Sequence, residues 1–198
     1  ENGLGVSDVT PFAQMSEAAG GMLTGDSILF VDGFDRALKI PDKGYPGMSL
    51  QKTESEKAIR GSNEGFGDSI KQNTALIRKR LRSVDLKVAE CKCGRRTGTN
   101  VDIMYLDGIV RPEIVTQMQQ RLAAFEIDGI GDSGVIEQLT ETQWFSPFPQ
   151  YQTTRRPDRA VMALLEGRAV LLADNSPEVL IFPTDYNSFI KTTDDYYT

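Results

Sequence analysis

"RRPDRAVMALLEGRAVLLADNSPEVLIFP", residues 155–183, holds a helix, its stop signal and a β-hairpin in one stretch. Pro157 suits a first helical position, where its missing N–H leaves no intrahelical bond unmade, and Asp158 meets the positive end of the helix dipole. Val161, Leu164 and Leu165 are expected to carry the buried face. Gly167 should stop the helix, because a helix that ends directly before a strand commonly needs a left-handed residue. An apolar run, an aspartate-led turn and a second apolar run closing on Pro183 then read as two paired strands.

The same order of signals occurs earlier in the chain. "MLTGDSILFVDGFDRALKIP", residues 22–41, aligns without a gap on residues 164–183 and matches at Leu23/Leu165, Gly25/Gly167, Leu29/Leu171, Asp32/Asp174, Leu38/Leu180 and Pro41/Pro183. Its apolar runs Ile28–Val31 and Ala37–Ile40 flank the turn-forming pair Asp32-Gly33. Both copies want the same local fold, and their likeness predicts that the two hairpins contribute to a common sheet. Ahead of the first copy, Pro11 following Thr10 predicts a short helix from Pro11 to Ala19.

Between the copies, Phe66, Ile70, Ile77 and Leu81 share one helical face, with Arg78, Lys79, Arg80 and Arg82 gathered at the end where cations favour the dipole. "LKVAECKC" and "NVDIMYLDGIV" read as strands joined through "GRRTGT". Pro112 opens a helix whose Ile114, Val115, Met118, Leu122 and Phe125 form an apolar stripe. A short piece around "EIDGI" follows, and then a brief helix with Val135, Ile136 and Leu139 inward, capped by Asp132 or Ser133.

These elements predict an α+β (mixed α/β) fold of two lobes, each a small sheet packed with helices. One lobe would be discontinuous, residues 1–62 and 150–198, and carry both hairpins. The other, residues 63–149, would be an inserted β-β-α-β-α unit with its leading helix. The chain would cross between lobes twice, near Gly61 and near Gln150, an arrangement that favours hinge motion.

Composition narrows the chemistry. The 198 residues are 39% hydrophobic and 25% charged, ordinary for a folded soluble domain, and the net charge of −6 argues against a nucleic-acid coat. Histidine is absent, which removes the serine–histidine–aspartate and cysteine–histidine constellations and most catalytic zinc sites. The two cysteines, Cys91 and Cys93, alternate in a strand and so point to the same face; no further soft ligands accompany them, and they read as reduced, partly buried thiols. No cofactor or metal is expected. No stretch approaches the roughly 20 apolar residues of a membrane span, and the start at Glu1 without methionine looks like that of an excised segment.

The charged motifs each have two readings. Arg155, Arg156 and Arg159 are solvated charges or form salt bridges to Asp158 and the acidic neighbours, or they hold an anion or an acidic partner near a lobe crossing. Arg95 and Arg96 in "GRRTGT" decorate a hairpin turn, or the turn aims backbone amides at an anion. "EIDGIGDSG" clusters Asp128 and Asp132 among glycines but lacks the spacing of a calcium loop.

An ordered series of motifs resembles a known family. "RGSNEGF" at 60–66, "NTALIRKRLR" at 73–82, "GRRTGTNV" at 94–101, "IDGIGDSGVIEQL" at 127–139, "SPFPQ" at 146–150, "RPDRAVMALLEGRAVLLADNSPEVLIFP" at 156–183 and "DDYY" at 194–197 look like the soluble N-terminal domain of the A subunit of GerA-type spore germinant receptors. Ser62-Asn63 departs from the Pro-Arg usual in that family's first motif. The resemblance implies a non-enzymatic part of a nutrient receptor in the spore inner membrane, on the core side, that couples sensing to germination and ion release. It implies partnership with B and C subunits, an A-subunit oligomer, and attachment to the membrane through segments outside this chain. No nucleic acid is expected. Glu64 in the first motif joins Arg95, Arg96, Arg155, Arg156 and Arg159 as expected partner- or ligand-binding residues. The alternative is a module binding a small nutrient, an amino acid or a sugar, in the interlobe cleft.

Overall fold

A glycine with positive φ closes the helix ahead of each hairpin: φ is 90° at Gly25 and 81° at Gly167. In the computed structural model of the chain, residues 9–41, 64–140 and 150–184 are described. The elements in order are β1 (Thr10–Phe12), α1 (Met15–Leu23), β2 (Ser27–Leu29), β3 (Ala37–Ile40), α2 (Ile70–Arg80), β4 (Leu86–Cys93), β5 (Thr99–Leu106), α3 (Pro112–Ala123), α4 (Ser133–Thr140), β6 (Gln152–Thr154), α5 (Pro157–Leu165), β7 (Ala169–Ala173) and β8 (Val179–Phe182). The fold is mixed α+β, and the chain divides into two units: Glu1–Ser49 with Arg82–Val84, and Leu50–Leu81 with Asp85–Thr198.

In the first unit, β2 and β3 form the expected antiparallel hairpin, with Ser27 opposite Ile40 and Leu29 opposite Leu38. The other edge of β3 is taken by β1, so the strand order is β1-β3-β2. Pro11 therefore sits in an edge strand, where a missing N–H is tolerated, and the helix expected from Pro11 to Ala19 instead runs from Met15 to Leu23. Ala18 and Gly21 of this helix and Ala37 of β3 are buried small residues, and Lys39 Nζ lies 2.9 Å from the buried carboxylate of Asp26. Phe30, Val31 and Phe34 in the connection between β2 and β3 remain exposed, as do Met15 and Met22.

The second unit is built on an antiparallel sheet in the order β4-β5-β7-β8-β6. The two hairpins thus belong to separate sheets in separate units, and the expected common sheet does not form. The reason lies in side chains: β7 reads AVLLA and is buried at every position, as a central strand covered on both faces must be. The short β2 exposes Ser27 and Leu29 and suits a small peripheral sheet. The third strand of the expected β-β-α-β-α unit, around residues 126–130, does not form; that segment is instead bonded to the β4–β5 turn.

Alternation along β5, β7 and β8 sorts the core into two layers. Val101, Ile103, Leu171, Ala173, Leu180 and Phe182 face one cluster with Val115, Met118 and Leu122 of α3 and Ile136 of α4. Cys93 and Cys91 point into this same layer, as their spacing predicts; both are free thiols, and burial raises each pKa. On the opposite face α2 and α5 pack together and onto β5 and β7. The buried stripe of α5 is Pro157, Ala160, Ala163 and Leu164, whereas Leu165, expected inside, is 48% exposed. Small alanines at the contact let α5 approach the sheet closely, which moves the stripe by one residue.

Candidate functional site

Several of the candidate charges cluster where α5 begins, and the local chain explains how they are held. Residues 64–67 run beside the start of α5, with Phe66 N–H donating to Arg155 O at 2.9 Å. Asn73, fully buried in α2, reaches back to this segment: its Nδ2 donates to Gly67 O at 2.7 Å and its Oδ1 accepts from Gly67 N at 2.9 Å. The β7–β8 turn closes the other side. Asp174 Oδ1 accepts from Ile70 N at 3.2 Å, serving as a cap for α2 from 104 residues away, and Asn175, at φ 63°, donates its N–H to Asp68 O at 2.8 Å.

Glu64 is set between two cations at the end of α2, 2.8 Å from Lys79 Nζ and 2.7 Å from Arg80 Nη2, with its side chain 11% exposed. Burial raises its pKa, but the hydrogen bonds and charges of Lys79 and Arg80 outweigh burial and leave it below the usual carboxylate value. A carboxylate depressed in the fold adds stability that is present above its unfolded pKa and is lost as pH falls through the folded one. Glu64→Gln should therefore flatten the acid limb of a pH–stability curve, read by thermal unfolding over roughly pH 2–5. An unchanged acid limb would mean that the two cations do not hold Glu64 ionised.

Arg155, Arg156 and Arg159 follow one another at the start of α5 but occupy different environments. Arg155 Nη2 lies 2.7 Å from Glu178 Oε1, and about two fifths of each side chain is exposed. Arg159 is half-buried. Arg156 makes the expected pair with Asp158, Nε donating to Oδ1 at 3.1 Å and Nη2 to Oδ2 at 2.6 Å, but its side chain is buried rather than solvated, at 1% exposed. The N-cap position turns this side chain back over its own first helical turn, where the carboxylate waits.

Arg95 and Arg96 sit on the exposed β4–β5 turn, a different part of the fold. The amides of Arg95, Arg96 and Thr97 donate to Ile127 O and Asp128 O at 2.7, 2.8 and 3.2 Å, so the turn spends its donors on the chain and offers no anion cradle. Arg96 Nε is 3.3 Å from Asp128 in a pair that is mostly solvated. Asp128 is thus a turn partner, and Asp132 caps α4 through Val135 N at 3.2 Å, as expected. The structure brings Glu64 and Arg155 onto adjoining segments and places Arg95 and Arg96 elsewhere. Sequence reasoning missed Asn73 and Asp174, whose roles depend on contacts far along the chain.

The family model for the Bacillus/Clostridium GerA spore germination protein matches residues 1–198. The chain is 38% identical over 197 residues to the uncharacterized membrane protein YfkQ of Bacillus subtilis, covering all of this chain and 38% of that protein. It is 36% identical over 177 residues to spore germination protein KA of the same organism, covering 89% of this chain and 32% of the relative. The chain therefore spans about a third of the length of these relatives. The crystal structure of the N-terminal domain of the A subunit of the Bacillus megaterium spore germinant receptor GerK3 superposes with a TM-score of 0.66 at 33% identity, over 90% of this chain and 64% of that one. An ordered set of motifs, a shared fold and a family match across all residues of this chain agree: the chain belongs to the GerA family of spore germination proteins.

Proposed function

We infer that this chain is a non-enzymatic domain of a germinant-receptor A subunit that couples nutrient sensing to germination and ion release by assembling with partner subunits. The observation that carries the reading is the match to the N-terminal domain of a receptor A subunit. In this reading the B and C subunits are the partners, the domain lies on the core side of the spore inner membrane, and segments beyond this chain attach it there. No helix among the described residues is long and apolar enough to cross a membrane.

Assembly is favoured by the surface of the first unit. Phe34 is 74% exposed and Phe30 59%, and together with Phe12, Met15 and Val31 they line a shallow depression of about 150 Å³. Exposed apolar patches of this kind mark contact surfaces. Substituting Phe30→Ser and Phe34→Ser together in the intact receptor should leave subunit abundance unchanged, reduce recovery of the B and C subunits with the A subunit, and slow nutrient-triggered germination. Wild-type germination with full recovery of the partners would overturn the coupling role assigned to this surface.

A further inference from the structure

Two buried polar side-chain atoms, Arg168 Nε and Thr184 Oγ1, have no hydrogen-bond partner among the described residues. Both residues line one open cavity of about 430 Å³ within the second unit. Buried polar groups are as a rule paired, and two orphans on the lining of a single cavity mark a place prepared for a ligand's polar atoms.

Arg168 lies between Gly167 and the first residue of β7, and its side chain is only 10% exposed. The guanidinium is fixed from two sides: Nη1 donates to Gln152 Oε1 at 3.2 Å, and Nη2 donates to the Glu166 carboxylate. A guanidinium presents five N–H donors in a rigid fork, so fixing two nitrogens also fixes the direction of the third. Thr184 follows the end of β8 and is half-buried. Arg111, exposed just before α3, gives the lining a second positive charge against one carboxylate, Glu166, among the described residues. Ile109, Ile114 and Pro183 supply an apolar wall.

We propose that this cavity binds a small carboxylate, its anionic group against Arg168 and Thr184 and its aliphatic body against Ile109, Ile114 and Pro183. The net positive lining attracts an anion, and guanidinium and hydroxyl are natural partners for carboxylate oxygens. Glu166 beside the guanidinium repels a second negative charge, which selects a monoanion over a phosphate dianion. This site lies within one unit and is independent of the assembly role, so either can fail without the other.

The test follows the Nε–H resonances of arginine in the ¹⁵N-labelled chain during titration with isobutyrate and, separately, with inorganic phosphate. Isobutyrate should shift the Arg168 resonance, identified by its absence in Arg168→Lys. Thr184→Val removes a hydroxyl that has no partner among the described residues, so the fold should be kept while affinity falls roughly tenfold or more, as for a lost hydrogen bond to a charged group. Arg111→Gln should weaken binding less, by roughly a few-fold, because its charge is exposed. No shift with isobutyrate, an affinity untouched by Thr184→Val and Arg111→Gln, or tighter binding of phosphate than of isobutyrate would each overturn the assignment. Should Arg168→Lys fail to fold, the other two variants still decide the outcome.

Discussion

Replacing Arg156 with alanine should destabilise the second unit by about 3 kcal/mol or more, because it leaves the Asp158 carboxylate without the fork that neutralises it. The guanidinium is 1% exposed and makes two near-parallel bonds to a carboxylate that is itself 22% exposed. Breaking a buried ion pair from one side typically costs about 3–5 kcal/mol, since the surviving charge stays desolvated. For a chain of this size that corresponds to a fall in Tm of roughly 6–12 °C. Arg155 provides the contrast: its pair with Glu178 is about two fifths exposed, and exposed pairs are worth about 0–1 kcal/mol, so Arg155→Ala should barely move the melting temperature. Equal melting of the two variants would contradict the burial of Arg156. In spores, loss of germination in Arg156→Ala would follow from loss of the folded subunit, and so would not by itself assign the residue a contact with a partner.

Gly167→Val should be the second severe change. The residue has φ 81°, and a Cβ added there would stand 3.2 Å from Ile109 O and 3.4 Å from Ile109 Cγ2. The left-handed conformation costs a residue with a Cβ roughly 1–2 kcal/mol, and a β-branched one more. Crowding of the Ile109 carbonyl brings the expected loss to about 2–4 kcal/mol. Gly33 isolates the two contributions. It has φ 83° with nothing within 4 Å of an added Cβ, so Gly33→Val meets the backbone strain without the collision. A melting temperature for Gly167→Val no lower than that for Gly33→Val would show that Ile109 moves aside without cost.

What the sequence made legible was whatever depends on neighbours a few residues away. The helix at Pro112, the helix at Pro157 with its stop at Gly167, both hairpins and the Asp132 cap are all encoded in periodicity, proline, glycine and short polar side chains, and all are present. What was not legible depends on distant partners. Residues 28–31 and 169–173 are both uninterrupted apolar runs, so the local pattern does not say that β7 will be the buried strand beside β5 while the first hairpin stays peripheral; that depends on which strands come to cover each face. Asn73 sits in a polar stretch of α2 and reads as surface until Gly67 is folded onto it. Asp174 reads as a turn residue, and its second duty at Ile70 spans 104 positions. Among the candidate charges, Arg95 and Arg96 are on an exposed turn as read, whereas Arg156 is internal because its N-cap conformation folds the side chain back over Asp158.

The order β4-β5-β7-β8-β6 also sets a schedule for biosynthesis. The β4–β5 hairpin is complete once Leu106 has been made, yet its partner on the open edge is β7, which follows α3, α4 and α5 in the chain. At about 5–20 residues per second the ribosome delivers that partner only after a delay on the order of seconds. Throughout it Val101, Ile103 and Met104 lack the strand that later lies beside them, on a hairpin edge with free hydrogen-bonding groups. The nascent chain is therefore most prone to capture by a chaperone, or by another nascent copy, between the appearance of β5 and that of β7. A truncation that stops short of β7 would leave the hairpin permanently in that state.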